Sequence, residues 1–202
     1  MPGSTAKAPW FLARCTQLAV GAAAGADLVR GLRVRAHLLD PSASSAAWSV
    51  RVYLYVMTVA IVLFLTWFAR CRRNAELLCA QKLPGSPSWA VLAWLIPVFN
   101  LWVPRGLVQD VHRASAPVGT DTRRSDTMVN VWWSAWIGHG VLPLAGRFGG
   151  GTSLPLLVAV QALGLLAAAL AVALIERITK LQAAGLRSMA APSALADLPH
   201  TA

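Results

Sequence analysis

The 202-residue chain is 56% apolar, only 13% charged, and carries a formal net charge of +10. That balance is far from the one ordinary soluble domains show, and the gathering of apolar residues into long blocks with charge between them is what a bilayer selects. The arginines flank the blocks instead of lining one stripe, which excludes a nucleic-acid footprint and makes the charge topological. The three cysteines, Cys15, Cys71 and Cys79, have neither the number nor the spacing of a disulfide framework or a zinc site.

Residues 1–9 read as an N-terminal tail. The first expected span runs from Trp10 to about Leu28, with Arg14 and Asp27 near its ends, where both can reach headgroups. Ala24-Gly25-Ala26 has the pattern of a signal-peptidase site, but Arg14 interrupts the order that a signal peptide needs. Gly21 and Gly25 instead form a small-xxx-small face suited to close helix packing.

Val52 to Ala69 is uncharged, bounded by Arg51 and by Arg70, Arg72 and Arg73, with Trp48 and Trp67 placed for two interfacial belts. Pro87 to Pro104, PSWAVLAWLIPVFNLWVP, is broken by Pro97 and Asn100 and reads as a re-entrant or interfacial element. From residue 105 to 115, Leu107, Val111 and Ala114 recur at helical spacing opposite Arg105, Gln109, Asp110 and Arg113, which predicts a short amphipathic helix.

Val129 to Gly146 has no formal charge but holds Asn130, His139 and Pro143; Arg147 to Ser153 then makes a glycine-rich hairpin turn. Leu154 to Ile175 has Gln161 as its only strongly polar side chain. At about 1.5 Å per residue it exceeds the roughly 30 Å of hydrocarbon. Residues 181–202, rich in Ala, Pro and Ser, read as a disordered tail.

The expected fold is therefore all-α and polytopic. It has four transmembrane helices (10–28, 52–69, 129–146 and 154–175) in a membrane domain of residues 10–180, plus the Pro-broken segment 87–104. With four spans and cytoplasmic termini, thirteen of the eighteen Lys and Arg lie inside; a fifth span at 87–104 gives eleven against seven, a weaker bias. The positive-inside rule favours four, with five as the alternative.

Trp67, Arg70 and Asn74 form W-x-x-R-x-x-x-N, followed by Ser86-Pro87, Trp89-Ala90-Val91, Trp94, Pro97, Asn100-Leu101-Trp102 and Pro104, and later by Ser115 and Trp132-Trp133. Over roughly residues 50 to 180 this resembles the bacterial integral-membrane family catalogued as domain of unknown function 4328. The resemblance implies a helical membrane domain common in actinobacteria, hence a plasma-membrane location, and no biochemical role.

Arg70 and Asn74, one helical turn apart, are candidates to receive a lipid phosphate or an acidic partner, against the plainer reading of a positive-inside anchor with a helix-end amide. Asn100, between Pro97 and Pro104, is an amide among apolar residues and needs a hydrogen bond or water; capping the backbone freed by Pro97 is the plainer reading. His139 could relay protons, with interhelical hydrogen bonding as the alternative.

No nucleotide loop, HExxH, nucleophile elbow or paired intramembrane carboxylates appear, so no cofactor, metal or catalytic residue is expected. The reading leans to a non-enzymatic membrane scaffold or accessory module. A transporter or channel subunit with a path lined by 87–104 is the alternative, and a lipid-modifying enzyme using Arg70 and His139 a weaker one. The expected partners are the bilayer, anionic headgroups at the cytoplasmic face, and a second copy or another membrane protein.

Overall fold

The computed structural model describes residues 7–40, 47–79, 83–96, 98–117, 119–148, 151 and 153–196, and every regular element among them is helical. They are α1 (Trp10–Leu39), α2 (Ala47–Leu78), α3 (Pro87–Leu92), α4 (Val103–Ser115), α5 (Arg123–Phe148) and α6 (Leu154–Ala196), with a 3-10 turn at Phe99–Leu101. Their Ala- and Leu-rich composition supports helix throughout.

The long helices alternate in direction. At one end Arg14 of α1 pairs with Glu176 of α6 at 2.9 Å, and Asn74 of α2 bonds Gln182 of α6 at 3.2 Å. Towards the other end Gly31 of α1 abuts Gln161 of α6, and Arg33 lies over the Trp48 ring of α2 at 5.2 Å. The extensive packing is α2 on α1, α1 on α6 and α6 on α5. Two helices, α2 and α6, are long and apolar enough to cross a membrane, and only 17% and 28% of their most apolar windows are buried. The core helix of a soluble protein turns its apolar residues inward, whereas here Tyr55 is 72% and Val158 65% exposed. Helices α1 and α5 fall short of the same apolarity, because α1 carries Arg14, Asp27 and Arg30 and α5 carries Asn130 and His139.

The chain lies at the same end of the bundle just before Pro87 and again at Ser115, the end of α4. Before Pro87, Pro84 and Gly85 offer their carbonyls to Arg72 at 2.8 and 2.7 Å. Ser115 reaches Gln182, which also donates to the Cys71 carbonyl. Gly85 holds φ +76, a left-handed turn that glycine adopts without strain, and Ser86 then caps α3 by accepting from the Trp89 amide. In between, Trp94 enters an aromatic cluster, edge-on to Phe64 at 5.0 Å, Phe68 at 5.6 Å and Trp133 at 5.9 Å. Trp133 fixes the return limb by donating its indole N–H to the Leu101 carbonyl.

Several boundaries differ from the sequence reading. Helix α1 continues to Leu39, past the expected end at 28, and α6 continues to Ala196, where a tail was expected from 181; residues 197–202 lie outside the described residues. The extension of α6 carries Gln182, which is fully buried, so its first turns are held by packing. Trp67, expected at an interfacial belt, is buried and donates to Thr179 of α6 at 3.2 Å. The amphipathic helix over 105–115 is present as α4, with Leu107 and Val111 buried.

Candidate functional site

A cavity of about 160 Å³ lies between the long helices and the 87–104 segment. Its wall is mostly apolar, and the polar or aromatic groups on it include Asp27, Tyr53, Trp94, Asn100, Trp136 and His139. Helices α2 and α5 flank it and meet through Phe64 and Trp132, whose ring centroids are 6.1 Å apart. Such a pocket, apolar with a few convergent polar groups, is the usual form of a small-molecule site.

Asp27 is only 5% exposed, although its position in the sequence read as a helix end. It accepts from Arg30, one turn on, whose Nε lies 2.9 Å away. Arg30 in turn covers the Tyr53 ring at 5.2 Å. A buried carboxylate needs such a partner, because an unpaired charge in a low-dielectric interior is costly. The Nε2 of His139 is 3.8 Å from the other Asp27 oxygen. The Nδ1 of His139 is 3.0 Å from the Val160 carbonyl, which only accepts, so Nδ1 carries a proton.

Gly164 makes this arrangement fit. A Cβ there would stand 2.8 Å from His139 Nδ1, so only glycine lets the imidazole lie on α6. Asn100, singled out in the sequence, lines the same cavity, and its Oδ1 is buried with no partner among the described residues. The Trp94 indole N–H is buried and unpartnered in the same way.

The other candidates lie elsewhere. Pro97 is outside the described residues. Pro104 is buried in the first turn of α4, where its missing N–H costs nothing. Arg70 and Asn74, expected on one face, are separated: Arg70 is exposed, while Asn74 is 2% exposed and donates to Gln182 and to the Lys7 carbonyl. Arg70 is not part of the cavity wall. Among the described residues no three His, Cys, Asp or Glu side chains converge as a metal site.

His112 of α4 is 2% exposed with both ring nitrogens unpartnered among the described residues. Burial and then the nearby Arg177 push its pKa below the ordinary value. The folded chain thus resists protonating His112 while the unfolded chain accepts the proton. Stability from this residue is full above about pH 6.5 and is lost as pH falls below it, at no more than about 1.4 kcal/mol per unit. Thermal unfolding in detergent should show a falling midpoint from pH 7.5 to 5.5 that shrinks in His112→Leu; an equal fall in both proteins contradicts this.

No curated protein and no solved structure matches the chain. One family model does, over residues 30–180, which takes in the end of α1, α2 to α5 and the α6 segment through Lys180. That match extends the likeness expected from residue 50 back to the turn of α1 that carries Arg30, and it covers well over half of the sequence. The chain belongs to the family of domain of unknown function 4328.

Proposed function

We propose that this chain is a multi-pass protein of the cell membrane, crossed by α1, α2, α5 and α6, with the 87–104 segment re-entrant and both termini cytoplasmic. Its role on this reading is non-enzymatic: a scaffold or accessory module that associates with a second copy or another membrane helix. The antiparallel alternation of the long helices supports four crossings. At about 1.5 Å per residue, the 26 residues of α5, the shortest of them, reach about 39 Å, more than the roughly 30 Å of hydrocarbon. The charged groups on α1 then fall where they are neutralised, Arg14 by Glu176 and Asp27 by Arg30. The basic end, with Arg70 and Arg73 exposed, suits anionic headgroups.

The observation that carries the association is the outer face of α1. Gly21 and Gly25 have nothing packed within 4 Å of where a Cβ would stand, and Leu18 beside them is 75% exposed. Small residues one turn apart let a second helix backbone approach closely, the main source of helix affinity in lipid. Crosslinking in mild detergent should trap a dimer or a complex, and Gly21→Leu/Gly25→Leu should abolish it at unchanged helix content. A lone monomer in the unaltered protein removes the reading.

A second reading, a transporter or channel subunit, is favoured by the meeting of Asp27, Asn100 and His139 on one cavity wall. Reconstituted protein that passes no ions or small solutes removes it. The lipid-modifying reading has less behind it, since it needs Arg70 and His139 at one cavity.

A further inference from the structure

We propose that the central cavity holds one acyl chain of a phospholipid, drawn from the bilayer through the gap between α2 and α5. The proposal rests on the membrane placement proposed above and not on association through α1. Packing leaves the gap: α1 packs on α2 and α6, and α6 on α5, but among the described residues α2 and α5 do not pack along each other. They meet at the Phe64 and Trp132 rings, and the cavity beside that contact is half open.

What enters an open apolar space depends on what surrounds it. Ile61 lines the cavity yet is 41% exposed, and Val62 beside it is 57% exposed, so the wall runs on into the outer apolar side of α2. In a bilayer that side is bathed in lipid chains. A second helix, about 10–12 Å across with its side chains, is too broad for a space of about 160 Å³. Polarity is graded to match a lipid. Asp27, Tyr53 and His139 stand at one level, linked through Arg30 and by the approach of His139 to Asp27. Phe64 lies about three turns, or about 16 Å, further along α2. The first level suits the ester region and the second the chain. Asn100 and Trp94 keep Oδ1 and the indole nitrogen covered, so neither atom opposes hydrocarbon. On an outer helix face a chain touches protein on one side only. Here α1, α2, α5 and α6 all contribute wall, and summed packing contacts hold this chain in preference to bulk lipid.

The test takes the full chain from nanodiscs of palmitoyl-oleoyl-phosphatidylglycerol into lauryl maltoside and weighs it by native mass spectrometry after repeated washing. About one phospholipid per chain is expected to survive washes that strip the outer faces. Ala24→Phe and Ala168→Phe, which fill the cavity from α1 and α6, should each cut the retained lipid about tenfold, whereas Val158→Phe on the exposed side of α6 should not. A phospholipid with a diazirine at the chain end locates the chain without any substitution: after washing it should crosslink to Met57 or Phe64 and not to the outward Tyr55. A protein released from membranes by alkaline carbonate overturns the membrane placement and this site together. An embedded protein that holds no lipid, a second polypeptide in its place, retention unchanged by both filling variants, or crosslinks confined to Tyr55 would each overturn this site alone.

Discussion

Replacing Arg30 by methionine is expected to destabilise the folded chain by about 3–5 kcal/mol, the usual cost of stranding one member of a buried ion pair. The Asp27 side chain is 7% exposed and Arg30 is the nearest cation to it, so the single substitution leaves a carboxylate without a partner in an apolar wall. The double variant Asp27→Leu/Arg30→Met removes both charges and should recover most of the loss, because apolar groups of similar volume often replace a buried pair at little cost. Unfolding in mixed micelles by increasing sodium dodecyl sulfate measures both. A single variant as stable as the double contradicts the description of Asp27 as buried and paired.

Phe68→Ala carries an expected cost of similar size, about 3–5 kcal/mol. Phe68 is fully buried, parallel to Phe64 at 6.4 Å and edge-on to Trp94 at 5.6 Å, so its removal opens a void beneath the 87–104 segment. Packing is what lipid leaves as the adhesive between helices, and a void forfeits it. Loss of Trp94 docking should also red-shift tryptophan emission, since this ring and Trp132 then meet a more polar surrounding. A cost below about 1 kcal/mol with unshifted emission contradicts the cluster's role as anchor.

How far the sequence could be read follows from what each element needs. Helices α2 and α6 were legible because their centres are free of charge, a local property. The run of α1 beyond Leu28 was not, since Arg30, Arg33 and Arg35 read as a loop. Arg30 and Arg33 lie over the Tyr53 and Trp48 rings of α2, contacts that exist only once the two helices have folded together. Helix α5 starts six residues before Val129 because Asp121 accepts from the Arg123 amide and Asp126 sits in the first turn, a local signal lying outside the apolar run.

The site was half legible. Asn100 and His139 stand out as polar residues in apolar surroundings, and both line the cavity. Asp27 was set aside as a helix end, because its burial is decided by Arg30 and by a histidine more than a hundred residues away. Gly164 gave no signal at all: one glycine in an alanine-rich helix acquires meaning only when the His139 ring lies upon it. Asn74 misled by position. It lies at a basic helix end but turns inward to Gln182, whose own place on α6 fell within the stretch read as tail.

Thiol labelling of two single-cysteine variants tests most directly whether α5 crosses the membrane, as the proposed topology requires. Each is built on a cysteine-free chain, one with Ser153→Cys in the α5–α6 turn and one with Thr120→Cys between α4 and α5, both exposed positions. With four crossings, an impermeant reagent should label Ser153→Cys in intact cells and Thr120→Cys only after the membrane is opened. If α2 and α6 alone cross, the two positions share one side and must label alike, and that result would contradict the account.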